Sequence, residues 1–217
     1  MLIASWNVNS IRSRLSQVLK WLEDEQPEVL CLQETKVTDE EFPYESFQNI
    51  GYNVEIFGQK SYNGVAIISK NKILDVRYGF AGELNQSEIS GELDFQKRII
   101  SGFVNGIRII NVYIPNGSSI NSDKFDYKVN WLSMLYEYLS KQSTREEPTC
   151  LLGDFNIALN DNDIYAPDKF SGSIMASEIE RKMLRKALGK RFIDSFRVFE
   201  KFSGHWSWWD YRNNSFE

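Results

Sequence analysis

The sequence predicts a single α/β domain with mixed sheets. Short apolar runs of strand length recur along all of its 217 residues. Three longer segments place apolar residues at helical spacing between those runs. From 52 to 114 strand-like runs follow one another with no such segment between them, and mixed sheets fit best.

LIASWNV (2–8) reads as the first strand. Ser10 then caps a helix reaching about Glu25, with Ile11, Leu15, Val18, Leu19 and Leu22 on one face. Pro27 follows the helix, and EVLCLQ (28–33) is a second buried strand. TKVTDEEFP is a loop. YNVEIFG (52–58), GVAIISK (64–70), ILDVRYG (73–79), KRIISGF (97–103) and IRIINVYI (107–114) are strands, and the acidic stretch 81–96 is a surface loop. Residues 122–141 form a helix with Phe125, Val129, Leu132, Leu135, Tyr136 and Leu139 on its inner face. PTCLLGDFN (148–156) is another strand, 157–176 a long polar loop of the length that often carries function, and 176–188 a helix. The aromatic tail HWSWWDYRNNSFE is partly extended.

Hydrophobic residues make up 42% and charged residues 25%, which suits one sizeable core. No repeat, linker or low-complexity block divides the chain. The net charge is −5, so bulk charge does not advertise a polyanion partner, and nucleic acid would need a local basic patch or a metal bridge. Arg12, Arg14, Lys124 and Lys128 are candidates for such a patch, although such residues are more usually a solvated helix face. Cys31 and Cys150 both lie in apolar runs and read as buried free thiols of a reducing compartment. MLIASWNVNS lacks the pattern of a signal peptide, and no apolar run approaches the roughly 20 residues of a membrane span. A soluble, cytoplasmic protein is expected.

The run CLLGDFN (150–156) ends in two polar groups. Strand alternation would place Asp154 and Asn156 on one face. Other apolar strands end in the same way, at Asn7, at Glu34, and at Tyr113 with Asn116. If these ends converge they form a polar pocket at a sheet rim. Its ligands would be mostly oxygens, and the chain has a single histidine, His205. Oxygen ligands point to Mg²⁺ or Mn²⁺. Glu34 could hold the metal, and Asp154 could orient or deprotonate a water. Asn7 and Asn156 could hold metal, water or phosphoryl oxygens, and Tyr113 could hydrogen-bond the phosphate or the leaving oxygen. That chemistry is metal-assisted phosphodiester hydrolysis. Each residue also has an ordinary reading: a turn former for the asparagines, a cap for Asp154, a solvated strand end for Glu34, a half-buried core aromatic for Tyr113.

The ordered segments WNVNSIR, LQETK, GYNV…GQKSYNGVAI, INVYIPNG, KFDYKVNWL, LLGDFN and SWWDYR span the chain. Together they resemble the exonuclease III family of apurinic/apyrimidinic endonucleases, within the endonuclease/exonuclease/phosphatase superfamily. The resemblance implies a four-layer α/β sandwich of two mixed sheets flanked by helices. It implies Mg²⁺-dependent cleavage 5′ to abasic sites in double-stranded DNA, with 3′→5′ exonuclease and 3′-phosphodiesterase activity at 3′ ends. By motif, Asn7 and Glu34 match metal-site residues and Tyr113 the catalytic tyrosine. Asn116 matches a phosphate contact, Asp154 and Asn156 the pair that handles the nucleophilic water and transition state, and Trp208 an aromatic wall of the sugar pocket.

The family pattern continues beyond SWWDYR through a G-W-R-I-D segment, a strand and a final S-D-H, whereas this sequence ends at Glu217. The resemblance therefore implies a C-terminally incomplete member, lacking the catalytic histidine, the aspartate that orients it, a second acid and some sheet strands. His205 precedes WSWWDYR and reads as a surface residue. No obligate protein partner is expected unless one completes the sheet. Two other readings stand beside the nuclease: a non-catalytic remnant that still binds abasic DNA, and another phosphodiesterase branch of the superfamily.

Overall fold

The computed structural model describes residues 1–84, 88–142 and 146–209. Strands β1 (Ile3–Asn7), β2 (Val29–Gln33), β3 (Asn53–Phe57) and β4 (Val65–Ser69) form one sheet in the order β1-β2-β4-β3. Strands β5 (Leu74–Tyr78), β6 (Ile99–Val104), β7 (Ile107–Tyr113) and β8 (Thr149–Asp154) form the second in the order β5-β6-β7-β8. Both sheets use one pattern. Three strands pair antiparallel, and an edge strand joins in parallel, β1 on β2 and β8 on β7.

Helices cover both outer faces, giving the four layers expected. α1 (Ile11–Glu25) and α2 (Tyr44–Gln48) lie over the first sheet, where Ile11, Val18, Leu22 and Phe47 meet Leu30, Leu32, Ala66 and Ile68. α4 (Asp123–Gln142) and α6 (Glu178–Leu188) lie over the second, where Trp131, Leu135, Tyr138 and Leu184 meet Ile99, Ile110 and Val112. Between the sheets Val29, Cys31, Val65 and Ile67 face Ile100, Val104 and Ile109. Central strands are thus buried on both faces, which is why they read as unbroken apolar runs. Each large apolar side chain buried in this way contributes about 1.5–3 kcal/mol. Both cysteines are free thiols; Cys31 is buried and Cys150 half-buried.

A buried amide joins the sheets. Asn111 of β7 donates to the carbonyls of Leu32 and Ala66 at 2.9 Å each and accepts from Gln33 at 2.8 Å. This clamp ties the end of β2 to β7 and sets the alignment of the rims that carry the site.

Local structure departs from expectation in four places. Ser10 does not cap α1 through its side chain; with φ 95° it donates its N–H to the Glu34 carbonyl, and Ile11 N–H donates to Thr35. The loop after β2 thus supplies the cap. The stretch 81–96 is not a plain surface loop. It contains α3 (Glu88–Asp94), and Asp94 folds back to accept the N–H groups of Phe80 and Ala81. Residues 157–176 hold a 3₁₀ turn (Asp161–Asp163) and α5 (Pro167–Phe170). A short α7 (Ser195–Phe199), capped by the Asp194 carboxylate, precedes a tail of which 204–209 have no regular structure; 210–217 lie outside the described residues.

Candidate functional site

Parallel pairing brings four strand ends to one rim. Asn7 pairs with Gln33 in register, so the residue after β2, Glu34, lies beside the end of β1. Tyr113 pairs with Asp154 at the ends of β7 and β8. The carboxyl ends of parallel strands in open α/β sheets are where ligands bind. β1 packs against β8, so the rim is continuous across the two sheets.

Asn7 is the joint between them. Its Nδ2 donates to Glu34 Oε1 and to Asp154 Oδ2, both at 2.8 Å. Its Oδ1 accepts the N–H of Asn9 at 3.0 Å, which fixes the amide orientation. Residues 147 apart in sequence are thus held within one carboxamide's reach.

The two carboxylates are driven apart in acidity. Burial opposes ionisation of Glu34, but donors from Asn7 and Lys36 outweigh it and hold the carboxyl below its ordinary value. Lys36 Nζ lies 2.9 Å from Glu34 Oε2. Asp154 is pushed up, first by burial and further by the charge of Glu34, against the donors Asn7 and Asn156. Burial and Glu34 also push the Tyr113 phenol up, so it stays a protonated donor facing the Glu34 carboxylate. Arg98 stacks over the Tyr113 ring at 4.4 Å and donates to the Tyr113 carbonyl at 3.2 Å.

Asp154 and Asn156 do not share a strand face, because β8 stops at Asp154. Asn156 turns into the left-handed region (φ 47°) and donates its N–H to Asp154 Oδ1 at 3.1 Å. The turn reading of these two residues therefore holds. Asn156 Nδ2 donates to the Ile114 carbonyl, and its Oδ1 accepts from Asn116 Nδ2 at 3.3 Å. Glu34 and Lys36 also take positive φ, at 53° and 57°. Neither tolerates it as asparagine does, and such strain costs about 1–3 kcal/mol per residue and persists where surroundings over-determine it.

Asn7, Glu34, Tyr113, Asn116, Asp154 and Asn156 thus converge. Trp208 is 50% exposed on the irregular 204–209 segment, and among the described residues no ring contact or hydrogen bond joins it to the six. His205 is also exposed, 3.6 Å from Glu200, and the described residues bring no imidazole to the rim. Of the four basic candidates, Arg12 and Lys124 are exposed and Arg14 half-buried, but Lys128 is a correction: it is fully buried and salt-bridged to Glu180. Its signal lay in the helical spacing. Lys128 falls between Phe125 and Leu132, where the stripe calls for a core residue. Lys36 and Arg98 were also missed as neighbours of the site; Lys36 follows LQET directly, while nothing in KRIISGF marks Arg98.

The residues present suit a hard divalent cation. Glu34 offers an ionised carboxylate at the rim, and the Lys36 ammonium already at its oxygen shows that the position takes positive charge. Among the described residues no group of three or more His, Cys, Asp or Glu gathers. Mg²⁺ asks for only one or two carboxylates, with waters or substrate oxygens filling the rest.

Comparison with known proteins decides the lineage. The profile of the endonuclease/exonuclease/phosphatase family matches residues 4–217. The chain belongs to this family, in its exodeoxyribonuclease III and AP endonuclease branch. Exodeoxyribonuclease III of Haemophilus influenzae is 34% identical over 229 aligned residues, covering all of this chain and 83% of its own. A 3′ phosphatase from Neisseria, solved bound to a product DNA hairpin, superposes with a TM-score of 0.91 at 38% identity, over 100% of this chain and 81% of that one. An AP endonuclease from Archaeoglobus fulgidus gives 0.89 at 39% identity, over 99% and 80%.

Proposed function

We propose that this family member is a Mg²⁺-dependent DNA-repair phosphodiesterase, with Mn²⁺ as a substitute. It cleaves 5′ to abasic sites in double-stranded DNA and acts at 3′ ends as a 3′→5′ exonuclease and 3′-phosphodiesterase. The observation that carries this reading is the Asn7 amide shared by Glu34 and Asp154. It joins one carboxylate held ionised to another that is shifted toward proton acceptance, a separation that supports charge binding at the first and proton transfer at the second.

Glu34, with Asn7 beside it, holds the metal. When bound, the cation supplies Lewis-acid stabilisation of the phosphoryl charge. Asp154 takes the proton of the attacking water, and Asn156 keeps the Asp154 carboxylate oriented through its N–H. Tyr113, a phenol that stays protonated, donates to the phosphoryl or leaving oxygen. Asn116 contacts a phosphate oxygen. Trp208, on its exposed segment, forms an aromatic wall for the abasic sugar.

A labelled duplex carrying one tetrahydrofuran abasic analogue tests the reading. The purified chain is expected to cut 5′ to the analogue with Mg²⁺ and not with EDTA. Asp154→Ala should lower the rate by about 10²–10⁴-fold, the usual contribution of a positioned general base. Cutting that survives EDTA, or an Asp154→Ala variant as fast as the parent, sinks it. Tight binding of the abasic duplex without any incision would instead support the DNA-binding remnant.

A further inference from the structure

Lys128 presents an anomaly that the proposed chemistry does not use. Its ammonium and the Glu180 carboxylate are both fully buried and lie 2.5 Å apart. A buried ion pair of this kind is often no more stabilising than well-packed apolar residues of the same volume, so stability alone does not account for it. What the pair touches is more informative. An ammonium has three donors. One goes to Glu180, one to the Asn156 carbonyl at 2.8 Å and one to the Asn116 carbonyl at 3.1 Å.

Those carbonyls belong to the two asparagines whose side chains meet in the site, Asn116 Nδ2 on Asn156 Oδ1. Asn116 follows β7 and Asn156 follows β8, so neither strand ladder holds them. Glu180 carries the linkage onward. It accepts the N–H of Met175 at 3.0 Å and the N–H and hydroxyl of Ser177 at 3.1 and 2.6 Å, and so anchors the end of the 157–176 segment. Met175 Sδ in turn receives Asn116 Nδ2 at 3.5 Å. Gly117 makes room for this arrangement, since a Cβ there would lie 3.1 Å from Lys128 Cδ and 2.9 Å from Ile174 Cδ1.

We infer that Lys128 is a positioning residue: its ammonium ties the backbones of Asn116 and Asn156 to Glu180 and so sets where both site amides sit. Asn156 then transmits the constraint to Asp154 through its N–H. Lys128 touches no reacting atom. The kinetic consequence rests on the phosphodiesterase reading; the structural one does not.

The test is the double variant Lys128→Met/Glu180→Gln, which removes both charges together and leaves neither buried alone. Three quantities are read in it and in the parent: the thermal midpoint, hydrogen exchange at the Asn156 N–H, and kcat and KM on the tetrahydrofuran duplex with Mg²⁺. The double variant should melt as the parent does and keep protection at Leu135 and Leu139. It should lose at least about tenfold of the protection at Asn156, as expected of local opening. Its kcat should fall about 10- to 100-fold with little change in KM, the signature of a site displaced by a fraction of an ångström. Parental protection at Asn156, or parental kcat in a folded variant, overturns the inference. A parent that does not cut sinks the phosphodiesterase reading, and exchange at Asn156 still decides the role of Lys128. If the double variant does not fold, Lys128→Arg is measured instead. Its planar fork cannot meet three converging acceptors, so a lower kcat at unchanged KM is expected, and parental kcat overturns the inference.

Discussion

Asn7 works as a divider of charge. One NH₂ group serves two carboxylates, and what surrounds each decides its acidity. Glu34 has a second donor in Lys36 and stays ionised; Asp154 has deeper burial and a like charge beside it and is raised. Their effects on stability have opposite signs. Glu34 is lowered from 4.5, so its contribution is present above that pH and lost as pH falls through the lowered value. Asp154 is raised from 3.8, so its contribution is present below that pH and lost as pH rises through the raised value. In EDTA, Glu34→Gln should therefore flatten the acid side of the stability curve. Urea midpoints below pH 4.5 should fall less steeply with acidification than the parent's. Equal steepness would mean that Asn7 and Lys36 do not hold Glu34 ionised.

Pairing of elements gives these residues their register. β8 joins β7 in parallel at close quarters beside Gly153, whose φ is 139° and where an added Cβ would sit 1.9 Å from the Val112 carbonyl oxygen. Only glycine fits, which explains the G of GDFN without reference to catalysis. Gly153→Ala should destabilise the chain on the order of 1–3 kcal/mol, as overpacking does. It should also loosen the Tyr113–Asp154 register, so that exchange of the Ile114 N–H, which donates to the Asp154 carbonyl at 2.9 Å, and activity change together. A variant of unchanged urea midpoint would show that β8 can move away without loss. α1 makes a related point. A serine in cap position looked sufficient, yet the backbone of the loop after β2 caps the helix and locks the start of α1 to Glu34.

At the scale of the whole molecule, the site is a seam. β1 and β2 come from one sheet, β7 and β8 from the other, and the Asn111 clamp sets their relative position. The net charge of −5 means that DNA must be met locally. With Lys128 turned inward, Arg12, Arg14 and Lys124 remain of the basic candidates. Binding of an abasic duplex should weaken with salt, with a slope of log K against log salt no steeper than about −3, near one unit per phosphate contact. A slope near zero would remove these residues from the interface, and a much steeper one would require cations outside this set.

The sequence by itself determined the alternation of apolar strands and amphipathic helices. Burial on both faces makes central strands continuous apolar runs, and burial on one face stamps a helical period on α1 and α4. It also marked the six residues that converge at the rim, because carboxylates, amides and a phenol stand out at the ends of apolar runs. The tertiary structure decided the rest. Which strand ends meet depends on parallel pairing between segments far apart in the chain, and no local pattern carries that information. The short helices α2 and α3 are held by packing of Phe47 and Leu93 into the two cores and α7 by its Asp194 cap, since segments of five to seven residues cannot support a helix alone. Lys128 is the clearest case. Its residue type says surface, and its place in the helical stripe says core. Only the folded chain, with two carbonyls and a carboxylate converging on one ammonium, reconciles the two.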